Sequence, residues 1–521
     1  MNILIKRFSG LFKGVVSGFD RVVFKGMIRP LIYPEGAERF FRRRGVLNKN
    51  YKDWVTGQSD RLVGALEEYA LAQSGTRITP LRSWRERKEE LAHRRQRERG
   101  VESGFIGAWS CLETGSSFRA SFQPGAGRPS LAPYRVACKH VYLYFDHEDY
   151  GFMNIRLQTW FPFHIQICLN GREWLRRSLQ KAGAVFVMNG NKLLHAEDYD
   201  FVQRTLDLQL DARWTAMLDS FLPTAFPTMR QTLRDPLSYY WTFWQSEWAT
   251  DFIADSPARL SVVTDALSRH AFMTGTTDRV LRYFNRPLDA EGLPRVHLDD
   301  QITSRALKFP EGLRVRHWVG SNSVKGYNEH NDFRVETTIN LPDAFRVWRR
   351  AQGEPETERK KLLPLRKSVA DAALRAKVSQ EVNDRFIQNL ATMSDETPMR
   401  ELLAPVTAAG AKEGRRVRAL DPTGKDLEPL HALSDPAYDV DGVTNKLLRG
   451  KLAETSWGAG LSDKQLSAKV SRLLRLLRDH GIIRKNPNRR SYHLTQRGRQ
   501  TVIALCAMLL ASTEQLMKMA A

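Results

Sequence analysis

Glu247 and Asp251 stand four residues apart in the aromatic stretch YYWTFWQSEWATDFIA, and Asp146, His147, Glu148 and Asp149 bunch where a strand ends. Carboxylate and imidazole groups suit a hard divalent cation, and a four-residue step puts both carboxylates on one face if the segment is helical. Such an ion, Mg2+ or Mn2+, polarises a phosphate or activates a water. An enzyme of the three-carboxylate transposase type needs one more carboxylate, whose placement the sequence leaves open. An acidic run at a strand end is equally the composition of a solvated turn. RLQTWFPFHIQ, which contains Arg156, and YYWTFWQSEW interleave Trp, Tyr and Phe with Arg and Gln. Exposed, that mixture stacks single-stranded bases; buried, it is ordinary core. Arg156 is therefore a candidate nucleic-acid contact.

The charge along the chain narrows the ligand class. The net charge is +22 over 521 residues. Residues 1–100 hold 22 Lys/Arg against 11 Asp/Glu and residues 443–521 hold 15 against 4, which leaves 101–442 balanced. Positive ends on a neutral body suit a polyanion, because each neutralised phosphate releases condensed counterions. Cys111, Cys138, Cys168 and Cys506 are far apart and form no CxxC pair, so neither a zinc ribbon nor a disulfide framework is expected. The longest apolar run, Val502 to Ala511, is short of the roughly 20 residues of a membrane span. Lys6, Arg7 and Lys13 interrupt the N-terminus, so no signal peptide is read. These features point to a cytoplasmic protein of two or three domains.

The elements that would carry these residues follow from periodicity. ILIKRFSGLFKGVVSGFDRVVFKGMIRPL reads as a basic amphipathic helix and then a short strand around Arg21 to Lys25. Residues 81–100 are a charged helix, and Gly115 to Pro133 is a loop or boundary. HVYLYFDH and NIRLQTWFPFHIQICLN alternate as strands, GREWLRRSLQKAG is a helix stopped by Gly183, and RVRHWVGSNSVKGYNEHNDFRVETTINLP is two strands joined at GYNEHND. A helix covers about Leu363 to Leu390, and Pro/Gly-bearing stretches at Ala404–Gly424 and Ser434–Gly442 read as linkers. The expected fold is an α+β multi-domain chain: a basic N-terminal region over 1–114, a mixed α/β body over 134–396, a linker over 397–442, and a terminal domain over 443–521.

In that terminal domain Leu466, Val470, Leu473, Leu474 and Leu477 form one apolar stripe, with Lys469, Arg472, Arg475 and Arg478 on other faces. Gly481 stops the helix, Ile482–Lys485 and Ser491–Thr495 pair, NPNRR turns between them, and a helix restarts at Gln496. VSRLLRLLRDHGIIRK followed by RRSYHLTQRGR resembles the MarR-type winged helix, whose recognition helix enters the major groove while a basic wing approaches the minor groove. The resemblance implies nucleic-acid contacts from Ser467, Lys469, Ser471 and Arg472 on the helix, and from Arg484, Lys485, Asn488, Arg489 and Arg490 on the wing. It also implies possible homodimerisation through Val502–Met517, unless that helix packs on the larger domain.

GSNSVKGYNEHNDFRVETTIN resembles a segment of plasmid rolling-circle replication initiators, in which a strand carries a nucleophilic tyrosine and an Arg-x-Glu strand follows. The resemblance implies that Tyr327 attacks a DNA phosphate, that Lys325 or Arg334 stabilises the developing charge, and that Glu336 is a metal ligand or base. Glu329 stands where that family has a lysine, and no His-hydrophobe-His motif occurs. The whole chain is also similar to a widespread group of bacterial proteins labelled only by their winged helix, which implies no activity and favours a mobile genetic element over housekeeping metabolism. Two functions remain open: a metal-dependent strand-nicking initiator or transposase-like enzyme, or a binding protein for DNA, single-stranded DNA or a structured RNA.

Overall fold

The computed structural model describes every residue except 1–3, 6–7, 9, 82–85, 123–126, 235, 287–301, 311, 352, 356, 392, 394–398, 413, 435–441, 487–489 and 511–521. The chain mixes α and β and divides into two compact units, each built from separated stretches: Lys13–Ile253 with Glu336–Glu381, and Met1–Phe12 with Ala254–Val335 and Val382–Ala521.

The first unit is organised by long strands. VVSGFDRVVF is rich in β-branched residues, which favour extended backbone, and it lies inside a 16-residue strand, β1 (Phe12–Met27). The helix expected there is confined, among the described residues, to a single turn at Leu4–Ile5, before the strand begins. The helix α1 (Tyr51–Ser74) buries Tyr51, Val55, Leu62, Leu66 and Ala70 along one stripe and ends at Gly75, whose φ of +67° suits a residue without Cβ. Two 18-residue strands, β2 (Gly104–Ser121) and β3 (Ser130–His147), pair antiparallel from Gly104↔Asp146 to Ser121↔Ser130. The loop expected from Gly115 is thus largely hairpin, and the boundary between 114 and 134 falls within it. Serine and glycine there accept extended backbone because the partner strand supplies their hydrogen bonds. Next come β4 (Gly151–Gln158), β5 (Ile165–Asn170), α2 (Gly171–Lys181) and β6 (Tyr240–Ala254).

The sheet order in this unit is β6-β1-β5-β4-β3-β2, with Thr79–Pro80 parallel to β2 at the far end. The strand Asp332–Ile339, whose last four residues belong to this unit, flanks β6 on its other side. In β5 the expected alternation is clear: Ile165, Ile167 and Leu169 are buried, while Gln166, Cys168 and Asn170 are half-buried. These join Phe19, Phe24, Leu62, Val141, Ile155, Trp241 and Phe243 in one core. Each such side chain contributes about 1.5–3 kcal/mol on burial.

In the second unit the helix α3 (Pro257–Thr274) packs on a meander of β7 (Ile302–Phe309), β8 (Gly312–Val319), β9 (Asn322–Glu329) and β10 (Asp332–Ile339). The turn expected in GYNEHND is real, and His330 takes a φ of +57° there. The helix expected over Leu363–Leu390 begins later, as α4 (Ala372–Ala391), because 361–364 forms a short strand with 346–349.

The stretch expected as a linker, 397–442, is not one along its described length. It contains the helices Met399–Thr407 and Leu427–Ala432, and its Val406, Leu420, Leu430 and Leu433 are buried in the same core as the C-terminal helices. Those are α5 (Asn445–Ala453), α6 (Asp463–Asp479) and α7 (Gln496–Leu510), with the antiparallel strands β11 (Ile483–Lys485) and β12 (Tyr492–Leu494) between α6 and α7. α6 starts on a capping box, Ser462 with Gln465, and Gly481 follows it at φ +71°. Among the described residues no helix is long and apolar enough to cross a membrane.

Candidate metal centre and adjoining groove

The apolar residues of β1 and β6 lock the two strands together, and the acids are what remain. Phe19 stacks on Phe243 at 6.0 Å and meets Trp248 edge-on at 5.0 Å. Next to Phe19 stands Asp20, 6% exposed, and next to Trp248 stands the half-buried Glu247. Glu336, 1% exposed, lies on β10, the strand that flanks β6. Three neighbouring strands thus bring Asp20, Glu247 and Glu336 together, with a carboxylate oxygen of each within 4.8 Å of the others.

Neutral amides orient two of these carboxylates. Asn191 Nδ2 donates to Asp20 Oδ1 at 2.6 Å, and Asn170 Nδ2 donates to Asn191 Oδ1 at 2.7 Å. Asn170 also caps α2, accepting from the backbone N–H groups of Arg172 and Glu173, so the relay is anchored on a helix start. Gln245 Nε2 donates to Glu247 Oε1 at 3.0 Å. Gly171 lets α2 approach this closely, since a Cβ there would lie 2.4 Å from the Phe19 carbonyl oxygen.

Three carboxylates with oxygens this close repel one another, and a divalent cation bound between them would offset that repulsion. Oxygen-only donors fit Mg2+, Mn2+ or Ca2+ better than zinc or copper. Hydrogen-bonded amides behind metal carboxylates are the usual second layer of such sites. The residue types and their support therefore fit a hard divalent ion.

A groove of about 830 Å3 opens on the same unit, lined among others by Arg21, Lys25, Arg156, His164 and Trp244. Arg21 links it to the carboxylates: its Nε donates to Cys168 Sγ at 3.3 Å, its Nη2 stands 3.7 Å from Glu89, and Glu247 adds a further attraction. Arg156, expected from sequence to touch nucleic acid, does line the groove, and it also holds Glu113 through Nε at 3.0 Å and Nη2 at 2.6 Å. Lys88 at 2.9 Å and the Tyr142 hydroxyl at 2.7 Å bond the same carboxylate. Burial pushes Glu113 upward, but these donors outweigh it and hold its carboxyl well below the usual range. Lys25 is pushed down by burial first, then by Arg156 and Lys367.

The other sequence candidates separate. Asp251 shares β6 with Glu247, which is a strand and not a helix, but it is absent from the cluster and pairs with the buried Arg172 at 3.0 Å. Asp146 binds Arg177 at 2.5 Å and Asp149 binds Lys181 at 2.6 Å, so the 146–149 run is an ion-paired turn. Of the aromatics, Trp241, Phe243, Trp248, Phe161 and Phe163 are core, while Trp244 is 48% exposed. Asp20 was not anticipated from sequence; the available signal was one acid inside a β-branched run.

Tyr327 belongs to the second unit. It lies on β9, 7% exposed, with Arg314 at 4.5 Å and Lys325 at 5.0 Å from its ring centre, beside a cavity of about 210 Å3. Arg334 is buried on β10, 3.8 Å from Asp332.

On α6, Ser467 and Ser471 face α5: Asn445 Nδ2 donates to the Ser467 carbonyl and to Ser471 Oγ, both at 2.9 Å, and Ser467 Oγ donates back to Asn445 Oδ1 at 3.2 Å. They tie two helices together. Lys469 donates to the Trp457 carbonyl at 2.6 Å and, with Arg472, Arg475, Arg416 and Lys425, lines a concavity of about 920 Å3. Arg484, Lys485 and Arg490 are exposed on the terminal hairpin; Asn488 and Arg489 lie outside the described residues, as does the end of the proposed dimer helix. A bridge from Val443 to Tyr492 adds a third extended segment beside that hairpin.

Comparison with known proteins adds no relative: no family model, no curated protein and no solved structure matches the chain.

Proposed function

We propose that this protein is a divalent-metal-dependent phosphoryl-transfer enzyme acting on nucleic acid, with Asp20, Glu247 and Glu336 as the ligands of Mg2+ or Mn2+. The meeting of three carboxylates from three neighbouring strands within 4.8 Å carries the reading. The bound ion would supply Lewis-acid polarisation of a phosphodiester and a water of lowered pKa. The protein's own residues do the rest. Asn191 and Gln245 hold two carboxylates in place, and Arg21 offers a cation to the phosphate where the groove meets the cluster. The C-terminal helices and hairpin are read as a winged helix that docks on duplex DNA through Arg484, Lys485 and Arg490, a reading supported by the element order and the Val443–Tyr492 bridge.

A second reading, a tyrosine nucleophile, is favoured by the two cations against the Tyr327 ring, which would stabilise a phenolate. One assay separates the two. End-labelled DNA is incubated with the protein and Mn2+, then resolved with and without protease. The carboxylate reading expects free ends and a loss of at least about 100-fold in Asp20→Asn and Glu336→Gln. A labelled protein adduct, removed by Tyr327→Phe, supports the tyrosine instead. Absence of cleavage with every divalent ion, or cleavage that survives both carboxylate substitutions, overturns the proposal.

A further inference from the structure

We infer that the groove beside the carboxylate cluster takes single-stranded nucleic acid, with Trp244 stacking a base and Lys25 and Arg156 meeting the phosphate chain. The destination of that strand rests on the phosphoryl-transfer reading; the binding itself needs no metal.

Charge is the first argument. Six lysine and arginine side chains line the groove against three glutamates. Glu113 serves both Lys88 and Arg156, one carboxylate for two cations. Lys25 pairs with no carboxylate among the described residues, and its charged neighbours are Arg156 and Lys367. A half-buried lysine among like charges is a place that an anion stabilises. His164, 9% exposed on the groove wall, keeps an enclosed Nδ1 with no hydrogen-bond partner. Its ring is held neutral, pushed down to about 3 by burial and then by Lys25 and Arg156, so it stands as a polar group facing the lining without adding charge.

The second argument is shape. Trp244 exposes about half its surface in a strand whose other tryptophans are buried, and Lys25 Nζ stands 4.8 Å from its ring centre. A free indole beside a cation is the pairing that stacks a base and holds its phosphate. Base faces are available only in unpaired strands, because in a duplex they are covered by stacking. The groove volume, about 830 Å3, is also in the range of about 300–1,000 Å3 that encloses a small ligand.

The test uses the full chain in EDTA, with fluorescein-labelled oligothymidylate and oligouridylate of roughly 16 nucleotides and a duplex of the same length, read by anisotropy. Trp244→Ala is expected to weaken single-strand binding by about tenfold or more, the loss of one stacked base. Lys25→Gln should lower the salt slope by about 0.7. Duplex binding should change by less than about twofold in both variants, and Val262→Ala, exposed in the other unit, should change nothing. Matching melting curves establish that each variant is folded. Groove-dependent binding of either oligomer supports the inference, and the two probes tell DNA from RNA. Single-strand affinity untouched by both substitutions, or single strand and duplex weakened equally, overturns it. Because the binding test contains no metal, a wild type that binds this way but does not cleave DNA in the Mn2+ assay rejects the phosphoryl-transfer reading alone.

Discussion

Arg172 and Asp251 meet at 3.0 Å with both side chains withdrawn from solvent, four residues along β6 from Glu247. Two acids on one strand therefore have different partners: Asp251 is ion-paired, whereas Glu247 accepts from the amide of Gln245. Removing one partner of a buried pair leaves the other uncompensated, at a cost of about 3–5 kcal/mol. Asp251→Ala is expected to lose that much in urea unfolding, while the folded protein keeps its Mn2+ affinity. Lost Mn2+ binding at full folding would return Asp251 to the ligand set.

The carboxylate cluster predicts opposite effects of one substitution with and without metal. In EDTA, Asp20→Asn relieves like-charge repulsion, so its melting temperature should equal or exceed that of the wild type. Saturating Mn2+ should stabilise the wild type by about 2.7 kcal/mol at a hundredfold excess over Kd and leave the variant unmoved. A variant that still gains stability with Mn2+ places the ion elsewhere.

The Asn170–Asn191–Asp20 relay would act on a bound ion only through Asp20. Loss of such a second-layer hydrogen bond typically costs about 10–100-fold in metal affinity. Asn191→Ala should show that loss by calorimetric Mn2+ titration, with the Mg2+ and Mn2+ order preserved. An unchanged Kd removes the relay from the site's function.

Two buried histidines contribute to the acid limb of stability. His140 and His317 are each pushed down to about 4, by burial first, with Arg156 adding to the effect at His140. Both are neutral in the folded chain and take a proton on unfolding below about 6.5, so stability is complete above that pH and falls as pH drops toward 4. Each contributes a slope of up to about 1.4 kcal/mol per pH unit. His140→Asn should flatten the urea-midpoint curve between pH 6.5 and 4; an unchanged slope assigns the loss to other groups.

On the terminal hairpin, Arg484→Gln and Arg490→Gln should each lower the salt slope of duplex binding by about one. Asn445→Ala should behave differently. It breaks the α5–α6 hydrogen bonds and lowers stability by roughly 1 kcal/mol per bond, with no direct change of slope. If the hairpin variants keep the full slope, duplex DNA docks elsewhere.

What the sequence made legible followed local rules. α6 begins at the capping box of Ser462 and stops before Gly481, and the strand alternation of Ile165, Ile167 and Leu169 is what their spacing implies. Glu247 and Glu336 are both legible in the sequence as metal candidates, but on unrelated grounds, and their meeting depends on strand neighbours that lie far apart in sequence. Asp20 is not legible as a site residue because the periodicity of 1–20 favours a helix, whereas the β-branched run and its partner strands decide for extended backbone. Ser467 and Ser471 read as ligand contacts by composition; only the position of Asn445 shows that they hydrogen-bond to α5 instead. The linker reading failed for a similar reason, since four scattered apolar residues carry no period of their own yet fill a core.

The carboxylates of Asp20 and Glu336 are separated by more than 300 residues of chain. During synthesis at about 5–20 residues per second, Asp20 and then Glu247 leave the ribosome well before Glu336 exists. A nascent or truncated chain that ends between residues 247 and 336 holds two of the three carboxylates. The three-carboxylate cluster is therefore complete only once about two-thirds of the chain is made.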